Sequence, residues 1–333
     1  MSIVPLIDIS ALYGDDTAAR TELAAELDHA CREIGFFQIV GHGVDEEIVR
    51  NAYRTAREFF ELPLRDKRLV AQPSPETVRG YSAVGEENFA YGQDLDAPGD
   101  LHEKFDTGPV DVPPGDPYYG RELAGQHFTA NQWPVKPAGM QQAWEAYFRV
   151  FNHLSRTLMN GLALALELPE DFFERAIDRD ISMLRAINYP DQLEAPAPGQ
   201  LRAAAHSDYG SITIVRQEEA PGGLEVLTQH GDWVPVPVIP GAFVVNLGDL
   251  MAQWTNDRYL STRHRVVNPP LDKAHDSRRM SLVFFHQPNY DALIECLPTV
   301  LTPGEVPRYE PVTSGDHLQN KFTKSHAVGP VNA

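Results

Sequence analysis

Apolar residues recur at helical spacing near the start of the chain. Leu23, Leu27, Ala30 and Ile34 fall on one stripe and Gly35 follows as a C-terminal cap, which predicts an amphipathic helix over Thr17 to Ile34. Phe36-Phe37-Gln38-Ile39-Val40 then reads as a buried strand closed by Gly41-His42-Gly43. A second helix is expected from Asp45, whose side chain can cap it, to about Leu62, just before Pro63. The stretch from Ala71 to Pro134 holds eight glycines and eight prolines, and these break any long period into short elements and loops. From Gly139 to Leu168 a broad stripe of Trp144, Phe148, Phe151, Leu154, Leu158, Leu162 and Leu166 predicts a long scaffold helix.

Beyond Met183 the period shortens. Ser211 to Val215, Leu224 to Leu227, Ala242 to Leu247 and Ser281 to Phe285 are short β-like runs separated by Gly, Pro and Asp turns, the pattern of a sandwich or barrel. Three regions result: a helical and irregular region over 1–135, scaffold helices over 136–182 and a β core over 183–333, packed as one unit. No Gly-rich nucleotide loop, GxSxG elbow, CxxC pair or internal repeat interrupts them.

Composition narrows the function classes. The 333 residues carry 28 Lys and Arg against 47 Asp and Glu, and a net charge of −19 repels nucleic acid and anionic lipid over most of the surface. Two cysteines, Cys31 and Cys296, give no disulfide framework. With no apolar run of 18 residues and no signal-peptide pattern at the start, the expectation is a cytoplasmic protein acting on a small molecule, as a monomer or small homo-oligomer.

The chemistry begins at His206-Ser207-Asp208, because residues two apart on a strand present an imidazole and a carboxylate to one point. Alone, such a pair is more often a surface histidine beside a turn-forming aspartate. His264, 56 positions after Asp208, changes the balance by offering a third ligand from another strand. Two histidines and a carboxylate form a facial set that leaves positions open on Fe(II), the arrangement for oxygen activation. Downstream, Arg279 and Ser281 share a strand face and are suited to gripping a carboxylate, although an ion pair within this acidic chain competes as a reading. Arg279 is chosen over Arg278 because its spacing to Ser281 matches the strand period.

In this order the motifs resemble the iron(II)- and 2-oxoglutarate-dependent oxygenases, in the isopenicillin N synthase-like branch. The likeness rests on Val4-Pro5-Leu6-Ile7-Asp8, Gly35 to Val44, Asn188-Tyr189-Pro190, His206 to Gly210, Gly222 to Val226, Pro240 to Asp249, His264 to Asn268 and Arg279-Met280-Ser281. It implies a double-stranded β-helix, a jelly roll wrapped by N-terminal and central helices. It further implies His206, Asp208 and His264 as iron ligands, with Arg279, Ser281, Tyr189 and Asn188 around 2-oxoglutarate. O2 would be the second cosubstrate, and C–H hydroxylation of a specialised metabolite the outcome, with desaturation or cyclisation as variants. The presence of Asp208 disfavours halogenation. An isopenicillin N synthase-type oxidase that needs no 2-oxo acid, and a non-catalytic metal-binding barrel, are the competing functions.

Candidates for the substrate pocket are Phe285, on the strand face of Ser281, and Arg79 in Arg79-Gly80-Tyr81, which resembles a segment near the substrate in the family. Phe105 and Tyr91, from the irregular stretch, are further candidates against a default of core or surface. His42, in its Gly-His-Gly turn, is read as structural.

Overall fold

The structure, a computed structural model, describes residues 3–74, 77–87 and 98–326. Among these residues two sheets face each other. Strands β1 (Leu6–Asp8), β2 (Phe36–Val40), β3 (Gly80–Ser82), β4 (Glu103–Thr107), β5 (Met183–Tyr189), β6 (Ala203–His206), β7 (Ile212–Gln217), β8 (Gly223–Leu227), β9 (Trp233–Pro235), β10 (Phe243–Leu247), β11 (His264–Val267) and β12 (Arg279–His286) supply them. The major sheet runs β1-β2-β10-β7-β12-β5-β4-β3 and the minor sheet β6-β11-β8-β9. This is a jelly-roll core with helical additions. Strands from the N-terminal part of the chain extend the major sheet at both edges.

Helix α1 (Thr17–Glu33) begins where the Asp16 carboxylate accepts the Ala18 and Ala19 amides, and it ends at Gly35. Gly35 has φ +65°, and a Cβ there would overlap the Leu260 carbonyl, so no larger residue fits the turn into β2. Helix α2 (Glu46–Phe60) is capped by Asp45, which accepts the Glu47 amide at 2.8 Å. The long helix Met140–Ala165 lays Trp144, Phe148, Phe151 and Leu158 against the major sheet in one large core. Burial of side chains this large supplies most of the drive to fold, at about 1.5–3 kcal/mol each.

Strand alternation sorts the major sheet into two faces. Met280, Leu282 and Phe284 of β12, Leu184 and Ala186 of β5, and Ile212 and Ile214 of β7 join the helix-side core. Arg279, Ser281, Val283 and Phe285, with Ile187 and Tyr189, and Thr213, Val215 and Gln217, line a cavity against the minor sheet.

The stretch expected to be irregular contains β3 and β4. β4 reads as polar because Lys104 and Asp106 lie on the inward face, where they are buried against β5. No helix among the described residues is long and apolar enough to cross a membrane.

Candidate metal and cosubstrate site

β6 and β11 pair antiparallel with His264 directly opposite His206, so two imidazoles meet across one rung of the minor sheet, with centroids 4.3 Å apart. Asp208 lies two residues past the end of β6. Its Oδ1 is 3.8 Å from His206 Nε2 and 3.7 Å from His264 Nε2. All three donor atoms fall within 4.8 Å of one another.

Neighbouring groups fix which atoms face the common point. His206 Nδ1 lies 2.7 Å from the Ala204 carbonyl and His264 Nδ1 lies 3.2 Å from that of Thr262. A carbonyl only accepts, so each Nδ1 carries the proton and each Nε2 presents its lone pair. Asn246 donates to Asp208 Oδ2 at 2.7 Å, which turns Oδ1 toward the histidines. The Phe36 ring meets His264 edge-on at 5.3 Å.

Charge follows the same geometry. Burial pulls His206 down to about 4, and the adjacent His264 adds to this. Burial alone would raise Asp208, but His264, His206 and the Asn246 and Thr213 side chains outweigh it and hold the carboxyl below its ordinary value. Two imidazoles and one carboxylate make a donor set suited to Fe(II), with no fourth protein ligand at the cluster among the described residues.

Farther along the same cavity lies Arg279, only 2% exposed. Its Nη2 donates to Gln217 Oε1 at 3.2 Å, while Nε and Nη1 have no hydrogen-bond partner among the described residues. Burial lowers this guanidinium from its usual value. A charged fork with unmet donors calls for an anion. Gly223 leaves room for it: a Cβ there would already stand 3.4 Å from Nη1. Ser281 follows on the same face, and the Tyr189 ring lies 5.5 Å from the guanidinium carbon. Burial pushes Tyr189 up to about 12, so its hydroxyl keeps its proton and can donate.

The remaining sequence candidates divide. Phe285 lines the cavity. Asn188 does not: adjacent to Tyr189, it turns to the opposite face, donates to Glu103 at 2.8 Å and accepts from Arg278 at 3.2 Å. Arg278 points outward to Glu61, so the two neighbouring arginines separate as strand period demands. Phe105 is a core residue, 4.9 Å from Phe59 and 5.3 Å from Trp144, because its neighbours Lys104 and Asp106 take the inward face. Arg79 is neither in the cavity nor solvated. It is buried, donating to the Val78 and His127 carbonyls in space left by Gly108.

Tyr91 lies outside the described residues. His42 holds the loop after β2: Nδ1 accepts from the Val44 amide and Nε2 meets the Gly241 carbonyl at 2.8 Å. Sequence reasoning missed Asn246, Thr213 and Gln217. Their signal is alternation: Asn246 and Thr213 face inward on expected strands, and Gln217 continues the face of Thr213 and Val215 two residues past the expected end.

Fold and site together define a class: a jelly-roll oxygenase in which a three-ligand cluster suited to a metal shares a cavity with a buried arginine that has unmet donors. Comparison with known proteins makes the family specific. Residues 181–288 match the 2OG-Fe(II) oxygenase superfamily, and residues 4–136 match the family described as non-haem dioxygenase in morphine synthesis N-terminal. The chain belongs to the 2OG-Fe(II) oxygenase superfamily and is an Fe(II)- and 2-oxoglutarate-dependent dioxygenase.

It is 36% identical to homoarginine-6-hydroxylase 2-ODD-233 of Oryza sativa subsp. japonica, covering 96% of each chain. It is 34% identical to the 2-oxoglutarate-Fe(II) type oxidoreductase hxnY of Emericella nidulans, over 97% of this chain and 90% of that one. The crystal structure of a full-length Neurospora crassa protein in complex with alpha-KG and thymine superposes with a TM-score of 0.84 at 30% identity, covering 97% of both chains.

Proposed function

We propose that His206, Asp208 and His264 hold the iron, that Arg279, Ser281 and Tyr189 hold the distal carboxylate of 2-oxoglutarate, and that the reaction is hydroxylation of a C–H bond in a small molecule. The observation that carries this reading is the buried, half-satisfied Arg279 in the same cavity as the three-ligand cluster. Bound there, iron and 2-oxoglutarate supply the oxidising chemistry, with O2 consumed and succinate and CO2 released.

The chain's own residues orient and select. The two histidines, with Asn246 and Thr213, favour the ionised form of Asp208, and the Asn246 contact at Oδ2 leaves Oδ1 toward the ligand cluster. Arg279 supplies a bidentate fork and Ser281 and Tyr189 add hydroxyl donors, so one end of the cosubstrate is fixed and its 2-oxo acid end is directed at the metal. Phe285 forms the cavity wall beyond Ser281.

A net charge of −19 supports a diffusible substrate over nucleic acid or a membrane surface, and free thiols at Cys31 and Cys296 support a cytoplasmic setting. We read the chain as one integrated unit, a monomer or small homo-oligomer, with 1–135 and 136–182 packed on the 183–333 core.

Anaerobic titration of the Fe(II)-loaded protein with 2-oxoglutarate, followed through the visible charge-transfer band, tests the assignment. A saturable band is expected in the wild type, with affinity reduced at least about a hundredfold in Arg279→Ala. A band of equal affinity in the variant overturns the clamp. Oxygen consumption without succinate would favour the oxidase reading instead.

A further inference from the structure

Beside the metal cluster, on the inward face of the major sheet, lies a buried group of charges that neither the metal site nor the clamp uses. Arg185 on β5 shares its face with Ile187 and Tyr189, both cavity residues, and its guanidinium lies 5.5 Å from the ring of Phe285. Asp106 on β4 grips it from the strand opposite, with Nε donating at 2.6 Å and Nη2 at 3.1 Å. Lys104, two residues earlier on the same face, reaches Asp106 at only 3.4 Å. Asp106 therefore neutralises one of two buried cations. The second is neutralised from outside the sheet by Glu87.

Glu87 stands apart from the other members. Its Oε1 accepts from Lys104 Nζ at 2.5 Å, both oxygens lie 3.3 Å from Arg185 Nη1, and Oε2 lies 3.1 Å from His102 Nε2. Three basic side chains converge on one carboxylate. The Glu87 side chain is 21% exposed, against 6% for Lys104, 7% for Arg185 and 0% for Asp106. Its backbone is anchored separately, through the Asp100 amide to its carbonyl at 2.8 Å, so the carboxylate can leave without the chain moving. In water the departed carboxylate is solvated, but the ion pairs it leaves behind are restored only if another carboxylate takes its place.

We propose that this seat binds a carboxylate of the primary substrate, and that Glu87 occupies it as an internal stand-in until substrate arrives. The inference rests on the oxygenase reading above and names the substrate class for that site: a small molecule bearing a carboxylate. A cationic group does not fit this seat. Both Glu87 oxygens already face basic groups, and an incoming cation would sit among Lys104, Arg185 and His102. An uncharged substrate would displace Glu87 and leave Lys104 and Arg185 sharing Asp106 alone, a costly exchange. A carboxylate replaces like with like. Arg185 then holds the substrate over Phe285, next to the metal cluster.

The test uses full-length protein loaded with Fe(II) and saturating 2-oxoglutarate, probed with pentanoate and phenylacetate, with pentanamide and phenylacetamide, and with butylamine. Two readouts are taken: perturbation of the visible band under nitrogen, and acceleration of 2-oxoglutarate decarboxylation in air. Carboxylates are expected to act where amides and the amine do not. Their half-saturating concentration should fall about tenfold in Glu87→Ala and Glu87→Gln, which remove the internal competitor, and rise at least about tenfold in Lys104→Gln.

Equal responses to acid and amide overturn the proposal. So does weaker carboxylate binding in both Glu87 variants, or no carboxylate response even in Glu87→Ala. A wild type that shows no 2-oxoglutarate band fails at the cosubstrate reading. A normal band with no carboxylate preference fails at this inference alone.

Discussion

At the Arg279 end of the cavity, the working groups come from neighbouring strands within the central sheet: Arg279 and Ser281 from β12, Tyr189 from β5 and Gln217 from β7. At the Phe285 end, the charged groups come from β4, β5 and the turn after β3, segments far apart in sequence that meet only at the sheet edge. The first end offers a cation with unmet donors, a form built for one fixed partner. The second presents charges that already satisfy one another, a form that exchanges partners. A cosubstrate shared by a family needs the former, and a substrate particular to one member is served by the latter.

The sharpest break comes where the two ends meet. Asp208→Ala removes the carboxylate that both histidines face and leaves Asn246 without its acceptor. Iron affinity should fall by roughly three orders of magnitude, since a buried charged ligand worth several kcal/mol is gone. Iron stoichiometry after gel filtration and succinate formation measure it. Retained iron with normal turnover would separate the metal from this cluster and remove the pivot on which the comparison rests.

How much of each end was legible follows from the same contrast. Strand period applied to Arg279-Met280-Ser281 chose between Arg278 and Arg279, and the structure places the chosen residue in the cavity and its neighbour on the surface. The same period applied to Asn188 would have turned it away from Tyr189. The family resemblance sets Asn188 beside Tyr189, and adjacency on a strand means opposite faces. The surroundings of Arg79 and of the stretch around Phe105 are illegible in the sequence for a different reason. Nothing local in Glu103-Lys104-Phe105-Asp106-Thr107 says that β5 lies alongside, and a run with three charges reads as exposed until Arg185 is known to meet Asp106. Buried ion pairs between distant segments leave no period in the sequence.

Acid acts on the Phe285 end through a buried histidine on the opposite face of the same strand. His286, the last residue of β12 and wholly buried, faces the helix side at the Phe285 end, with Nδ1 2.7 Å from Ser211 Oγ. Burial lowers it from 6.5 to about 4, so the folded state holds it neutral while the unfolded chain protonates it below about 6.5. The unfolded state then binds more protons, and stability is complete above about pH 6.5 and lost as pH falls toward 4. The full displacement corresponds to roughly 3 kcal/mol. Denaturant melts of the wild type and His286→Phe between pH 7 and 4.5 should show a steeper decline in the wild type. Parallel curves would mean that His286 protonates in place.

The smallest effect tests whether the clamp acts as a graded set of donors. Ser281 faces the cavity beside Arg279 and carries no charge, so Ser281→Ala removes one neutral donor and leaves the guanidinium and Gln217 in position. A hydrogen bond to a charged group contributes about 1.5–3 kcal/mol when well made, and the lower figure applies where Arg279 already carries most of the attraction. The KM for 2-oxoglutarate should therefore rise about tenfold, with kcat and the KM for primary substrate unchanged, because the lost contact is made equally before and during reaction. Steady-state succinate formation at varied 2-oxoglutarate decides it. A change in substrate KM as large as that in 2-oxoglutarate KM would show that the two ends of the cavity are coupled through β12, and the division between a fixed clamp and an exchangeable substrate end would have to be abandoned.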